Sequence, residues 1–143
     1  MATDFKSFLK QNAIQPESVK FAVSKRFVDG KGNPLEWEIC PVTSKQDERI
    51  RKDCTREVPI PGKRGQKDLK VDTDAYLLKL CTSCIVSPNL NEVELQDSYG
   101  AKDAGELLQS MLLAGEYTDL KNKVVEVNGF DVGFEELEEE AKN

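Results

Sequence analysis

Four cysteines come nearest to a reactive centre in this 143-residue chain. Cys81 and Cys84 stand three apart, with Cys40 and Cys54 upstream. A Cys-x-x-Cys pair could cycle between dithiol and disulfide, or supply half of a tetrahedral zinc site. Redox chemistry wants the thiols at a helix N-terminus, where the helix dipole stabilises a thiolate. Here the pair lies inside VDTDAYLLKLCTSCIV (Val71–Val86), on the helical face that carries Leu77 and Leu80. A zinc site would have to recruit Cys40 and Cys54, with no second Cys-x-x-Cys to support it. Buried, reduced, metal-free cysteines are the reading that best fits the spacing.

The remaining residue types narrow the chemistry further. There is no histidine, which removes the usual general base near neutral pH and the commonest metal ligand. No carboxylate pair stands out by spacing among 26 acids. Gly62-Lys63-Arg64-Gly65 lacks the GxxxxGK[ST] order of a phosphate loop and does not join a strand to a helix. These residue types single out no catalytic residue, and the expectation is that the chain holds no cofactor or metal.

The charge is polarised. Arg49–Lys70 holds eight Lys/Arg against three acids, whereas the stretch from Glu92 to the end holds fourteen acids against four lysines. The whole chain has a formal charge of −6. Lys63, Arg64 and Lys67 form a candidate charged docking patch. Nucleic acid is a weaker use of it, because the stretch lacks interleaved aromatic residues and belongs to an acidic protein.

The elements that must position these residues follow from periodicity. Length indicates one domain, and 38% hydrophobic content is enough for one core. The expected class is α+β: a small antiparallel β-hairpin sheet packed on a mainly helical C-terminal half, around a central buried helix at about 73–86. Asp72 caps that helix, Val71 and Tyr76 staple it, and Pro88 is expected to end it. Asp4 opens a short N-terminal helix with apolar Phe5, Phe8 and Leu9. Alternation places Phe21, Val23, Phe27, Leu35, Trp37 and Ile39 on the buried face of a hairpin that turns through Asp29–Pro34. Thr43 with Gln46 forms a capping box, followed by the i, i+4 pairs Asp47/Arg51 and Glu48/Lys52. Val58-Pro59-Ile60-Pro61 and Leu69-Lys70-Val71 are the arms of a basic hairpin.

Further on, Asn91 with Glu94 suggests another capping box, with Leu90 and Leu95 as staple. Asp103 with Glu106 opens a helix carrying Leu107, Leu108, Met111 and Leu112, and Gly115 is placed to end it. Tyr117, Leu120, Val124 and Val127 mark a last amphipathic helix, closed by Asn128-Gly129. An acidic tail from about 131 is expected to fray. No apolar run approaches the length of a membrane span, and the N-terminus lacks a signal-peptide pattern, so a cytoplasmic protein is expected. The helices Asp103–Leu113 and Glu116–Val127 could leave a groove for a partner helix, with Leu112, Leu113, Gly115, Glu116 and Tyr117 as candidate contacts. Core packing is the competing use of Leu112, Leu113 and Tyr117.

Three blocks carry a family resemblance: SVKFAVSKRFVDGKGNPLEWEICPVTSKQDERIRKDCTREVPIPGK, LNEVELQDSYGAKDAGELLQSMLLAGEYTDL and VNGFDVGFEELEEEAKN. In combination they resemble the XkdN-type phage tail assembly chaperones of contractile-tailed phages and defective prophages of Gram-positive bacteria. The resemblance covers nearly the whole chain. It implies a non-enzymatic protein that binds the tape measure protein before the tail tube polymerises, then leaves, so that it is absent from the mature particle. It also implies a possible second partner, a longer frameshifted form of the chain itself. No catalytic or ligand residues carry over from the family. Two rival classes stay open: a structural tail or baseplate component, and a nucleic-acid-binding regulatory protein.

Overall fold

A computed structural model describes residues 5–130 of the protein. The acidic tail expected from about 131 lies outside the described residues, as does Asp4. Within them the fold is α+β, and its centre is helix α2, Thr73–Cys84. Asp72 caps it, its Oδ1 accepting from the Ala75 N–H at 3.2 Å. Tyr76, Leu77, Leu80, Cys81 and Cys84 are all at most 1% exposed, so the helix is enclosed on a broad face. Each such large apolar side chain contributes roughly 1.5–3 kcal/mol when fully buried.

The helix stops at Cys84, two residues before the expected end. Ile85–Ser87 instead forms strand β5. Pro88, joined to Ser87 by a cis peptide bond, therefore follows a strand and not a helix. The reason is a competing partner. The β-branched pair Ile85-Val86 meets the free edge of β2, where Ile85 pairs with Ile39 and is buried. The expected hairpin is present as β1 (Val19–Phe21) and β2 (Trp37–Ile39), antiparallel with Phe21 opposite Trp37. The sheet order is β1-β2-β5, so the central helix hands its chain straight to the third strand.

Val23, Trp37 and Ile39 are buried as expected, and Phe21 and Phe27 are half-buried. Leu35 is not on the buried face: it is 46% exposed. Regular pairing begins only at Trp37, and Leu35 is held by a single bond from its N–H to the Phe27 carbonyl at 2.8 Å.

Helix α1 (Ser44–Asp53) has the expected capping box: Thr43 Oγ1 accepts from the Gln46 N–H, and Gln46 Oε1 accepts from the Thr43 N–H at 2.8 Å. Asp47 and Arg51 pair at 3.0 Å, and Glu48 with Lys52 at 3.5 Å. Tyr76 Oη donates to Asp47 while the Arg51 guanidinium lies over its ring, which locks α1 to α2. Strands β3 (Thr55–Pro59) and β4 (Lys67–Val71) form the basic hairpin in a five-pair register. Its turn uses Gly62 and Gly65 at φ of 77° and 78°, a region other residues avoid.

Helix α3 spans Val93–Ser98, but Asn91 does not cap it; Glu92 is the N-cap and makes no side-chain bond. The Asn91 N–H instead donates to Asn89 Oδ1, an Asx turn that shifts the start by one residue. Helix α4 is Ala104–Met111, shorter than Asp103–Leu113, and Asp103 does cap it. Helix α5 is Ala114–Val127. Gly115 is thus the second residue of α5 and ends nothing: the chain turns at Leu112 and Leu113, both extended, and Glu116 Oε1 accepts from the Leu113 N–H at 2.8 Å. Helices α4 and α5 each pack on α2. Gly129, at φ of 83°, follows the end of α5 as expected.

The N-terminal segment holds one 3-10 turn, Phe5–Phe8, in place of the expected amphipathic helix. No helix among the described residues is long and apolar enough to cross a membrane.

Candidate partner-binding surface

Six apolar side chains from widely separated parts of the chain enclose an open groove of about 210 Å³. Phe27 and Leu35 come from the two arms of the hairpin turn, and Trp37 from the start of β2. Pro88 follows β5, Leu95 projects from α3, and Met111 ends α4. Trp37 forms the floor, and Phe27 lies against it with ring centroids 6.3 Å apart. Glu36 and Ser87 also line the groove.

A buttress joins this groove to the α4–α5 junction singled out in the sequence. Arg26 Nη2 donates to the Met111 carbonyl at 2.6 Å and to Glu116 Oε1 at 2.8 Å. Hydrogen bonds from the Arg26 side chain, the Ser24 side chain and the Leu113 N–H, in that order, depress the Glu116 carboxyl to about 2. Glu116 is therefore ionised under physiological conditions and holds the junction in place.

The other candidates divide. Leu112 is buried in the core, so core packing is its use here. Leu113 is 60% exposed and next in sequence to that core contact. Gly115 is exposed, and a Cβ there would meet nothing within 4 Å. Tyr117 is half-buried, with the Lys121 ammonium 4.5 Å from its ring centroid. Lys63, Arg64 and Lys67 line a separate, wide concavity in the β3–β4 loop, and none of them lines the apolar groove. Lys67 also pairs with Glu57 at 3.6 Å, across the hairpin.

The cysteines form no such surface. Cys81 and Cys84 are buried, and burial pushes the Cys81 thiol up to about 12, away from thiolate chemistry. Among the described residues no three His, Cys, Asp or Glu side chains are grouped to hold a metal ion. The groove itself was not legible in the sequence, because its wall joins five distant segments. The nearest signal was the run of apolar residues Phe27, Leu35 and Trp37 flanking one turn.

Comparison with known proteins adds three findings. Residues 5–142 match the family model of the phage XkdN-like tail assembly chaperone proteins. The chain is 33% identical over 141 residues to the phage-like element PBSX protein XkdN of Bacillus subtilis, covering 98% of this chain and 94% of that one. The crystal structure of the protein YqbN superposes with a TM-score of 0.76 at 26% identity, over 92% of this chain and 100% of that chain. YqbN of Bacillus subtilis is 33% identical over 141 residues.

Proposed function

We propose that this chain, which belongs to the phage XkdN-like tail assembly chaperone family, binds a tape measure protein through the apolar groove and keeps it soluble until the tail tube closes around it. The observation that carries the reading is the groove: a contiguous apolar cleft, open to solvent, on a protein with a packed core elsewhere. A long helical client presents apolar stripes, and a cleft between elements is the surface that takes such a stripe. The net charge of −6 keeps the loaded complex soluble. On this reading the protein works as a binder without catalysis, in the host cytoplasm, and is absent from the finished particle.

The test is co-expression with the tape measure protein followed by pull-down. Leu35 and Leu113 are both exposed, so Leu35→Asp with Leu113→Asp should leave folding intact and abolish recovery of the client. Lys63→Glu with Arg64→Glu should weaken recovery chiefly at low salt, as expected for charges that tune encounter. Normal recovery by the folded leucine variant, with loss in the charge-reversed one, would move the docking site to the hairpin. Mass spectrometry of purified tails should find the protein missing; its presence would make it a structural component.

A further inference from the structure

Arg56 and Lys70 stand directly opposite each other across the β3–β4 hairpin, so both cations belong to one face of it. Like charges in that position destabilise the strand pairing. Both residues are exposed, and no acid among the described residues forms an ion pair with either. Together with Val58 they line a concavity of about 260 Å³ at the foot of the hairpin. Asp72 and Asp74 line it too, but Asp72 is committed to the cap of α2. Asp68, on the same hairpin face, accepts from the Leu69 N–H. The hairpin Thr55–Val71 carries five cations against two acids, Glu57 and Asp68.

The complementary charge is on the same chain. Residues 131–143 contain Asp131, Glu135, Glu136, Glu138, Glu139 and Glu140, against the single cation Lys142. These residues lie outside the described ones, but Phe130, which precedes them, lines a concavity with Thr43, Ser44 and Asp47 at the start of α1. The hairpin leaves the other end of that helix at Thr55. The ten residues of α1 rise about 15 Å. Thirteen residues can span about 43–47 Å, so the acidic segment has ample length to reach Arg56 and Lys70.

We propose that residues 131–143 dock on the Arg56/Lys70 face of the hairpin in their own chain, with the glutamates between 135 and 140 facing the two cations. Charge complementarity selects this occupant. The contact offsets the cross-strand repulsion and withdraws both cations from other anions. Neither Arg56 nor Lys70 lines the apolar groove, so the site is separate from the one proposed for the client.

The test is amide NMR on the full chain at low salt, with no tape measure protein present. In a variant with Glu135, Glu136, Glu138, Glu139 and Glu140 all changed to Gln, the Arg56, Val58 and Lys70 amides should shift from their wild-type positions. Conversely, Arg56→Gln with Lys70→Gln should shift the amides of residues 135–140, with cooperative unfolding retained because both sites are exposed. Each change is thus read on the opposite partner. A synthetic peptide with the sequence of residues 131–143, added to the five-glutamine variant, should return the hairpin amides towards wild type, and its five-glutamine counterpart should not. Wild-type shifts should be the same at every protein concentration, since the contact lies within one chain. Hairpin amides indifferent to the five-glutamine change would overturn the proposal and leave the face to an anion from outside. So would an equal response to both peptides, or wild-type shifts that move with protein concentration, which would put the segment on a second copy.

Discussion

Trp37 shows how much one residue can hold here. It is 2% exposed, forms the floor of the groove and faces Phe21 across the sheet. Trp37→Ala should cost about 3–5 kcal/mol in urea unfolding, as large-to-small core changes do. Leu35→Ala, half in solvent, should cost less than about 1 kcal/mol, although alternation put the two residues on the same face. Thiol labelling gives a second check. Half-buried Cys40 should react first in the folded protein, whereas Cys81 and Cys84 should react only on unfolding. The third concerns acid. The Glu116 carboxyl is depressed from its ordinary 4.5 to about 2, so its folded-state contribution is complete above 4.5 and is lost as pH falls towards 2. Wild type should exceed Glu116→Gln in urea midpoint near neutral pH, and the gap should close across that window. Asn128 was legible only as a turn residue, yet its Oδ1 accepts from the Val42 N–H at 2.9 Å and its Nδ2 reaches Cys84 Sγ at 3.4 Å. Nothing local in the sequence announces a side chain that ties the ends of α5 and α2 to the loop before α1.

At the scale of elements, caps were legible where the side chain had no other partner. Thr43, Asp72 and Asp103 cap as their positions suggest, because each oxygen meets the N–H three residues on. Asn91 forms no capping box: its N–H, which the box would give to the Glu94 side chain, donates to Asn89 Oδ1, and the helix starts one residue later. The boundary between α2 and β5 was hidden for a different reason. A short apolar run such as Cys84-Ile85-Val86 fits helix or strand equally, and its choice is made by β2, about 45 residues away in sequence. Gly115 carries a sharp prediction. A helix-ending glycine has positive φ, and alanine there is strained; Gly115 instead sits inside α5 without positive φ and with open space around it. Gly115→Ala should therefore stabilise the protein by about 0.4–1 kcal/mol, measured as a rise in urea midpoint at unchanged m-value. Destabilisation would return the residue to the role its position in the sequence suggested.

For the whole molecule, the polarity of charge along the sequence becomes a polarity in space only in part. The positive stretch Arg49–Lys70 ends α1 and forms the β3–β4 hairpin, while α3 and the α4–α5 pair carry acids. The groove lies at the acidic side, which the charge count alone could not locate.

Helix α2 passes into β5 without an intervening residue, and the Cys40 N–H donates to the Cys84 carbonyl at 2.8 Å exactly where helix becomes strand. Amide exchange should therefore be slowest in α2 and β2 and fastest in Phe5–Ile14 and the β3–β4 turn, by a margin close to the full unfolding free energy. Early exchange of α2 ahead of the hairpin would contradict this. With no slack at that seam, the helix cannot tilt unless the sheet moves with it. Among the described residues, the seam between α2 and the sheet then offers no hinge. On the proposed reading, departure of a client is a trade of one surface occupant for another, driven by whatever competes at the rim, and the chaperone emerges from each round with its fold unaltered and ready for reuse.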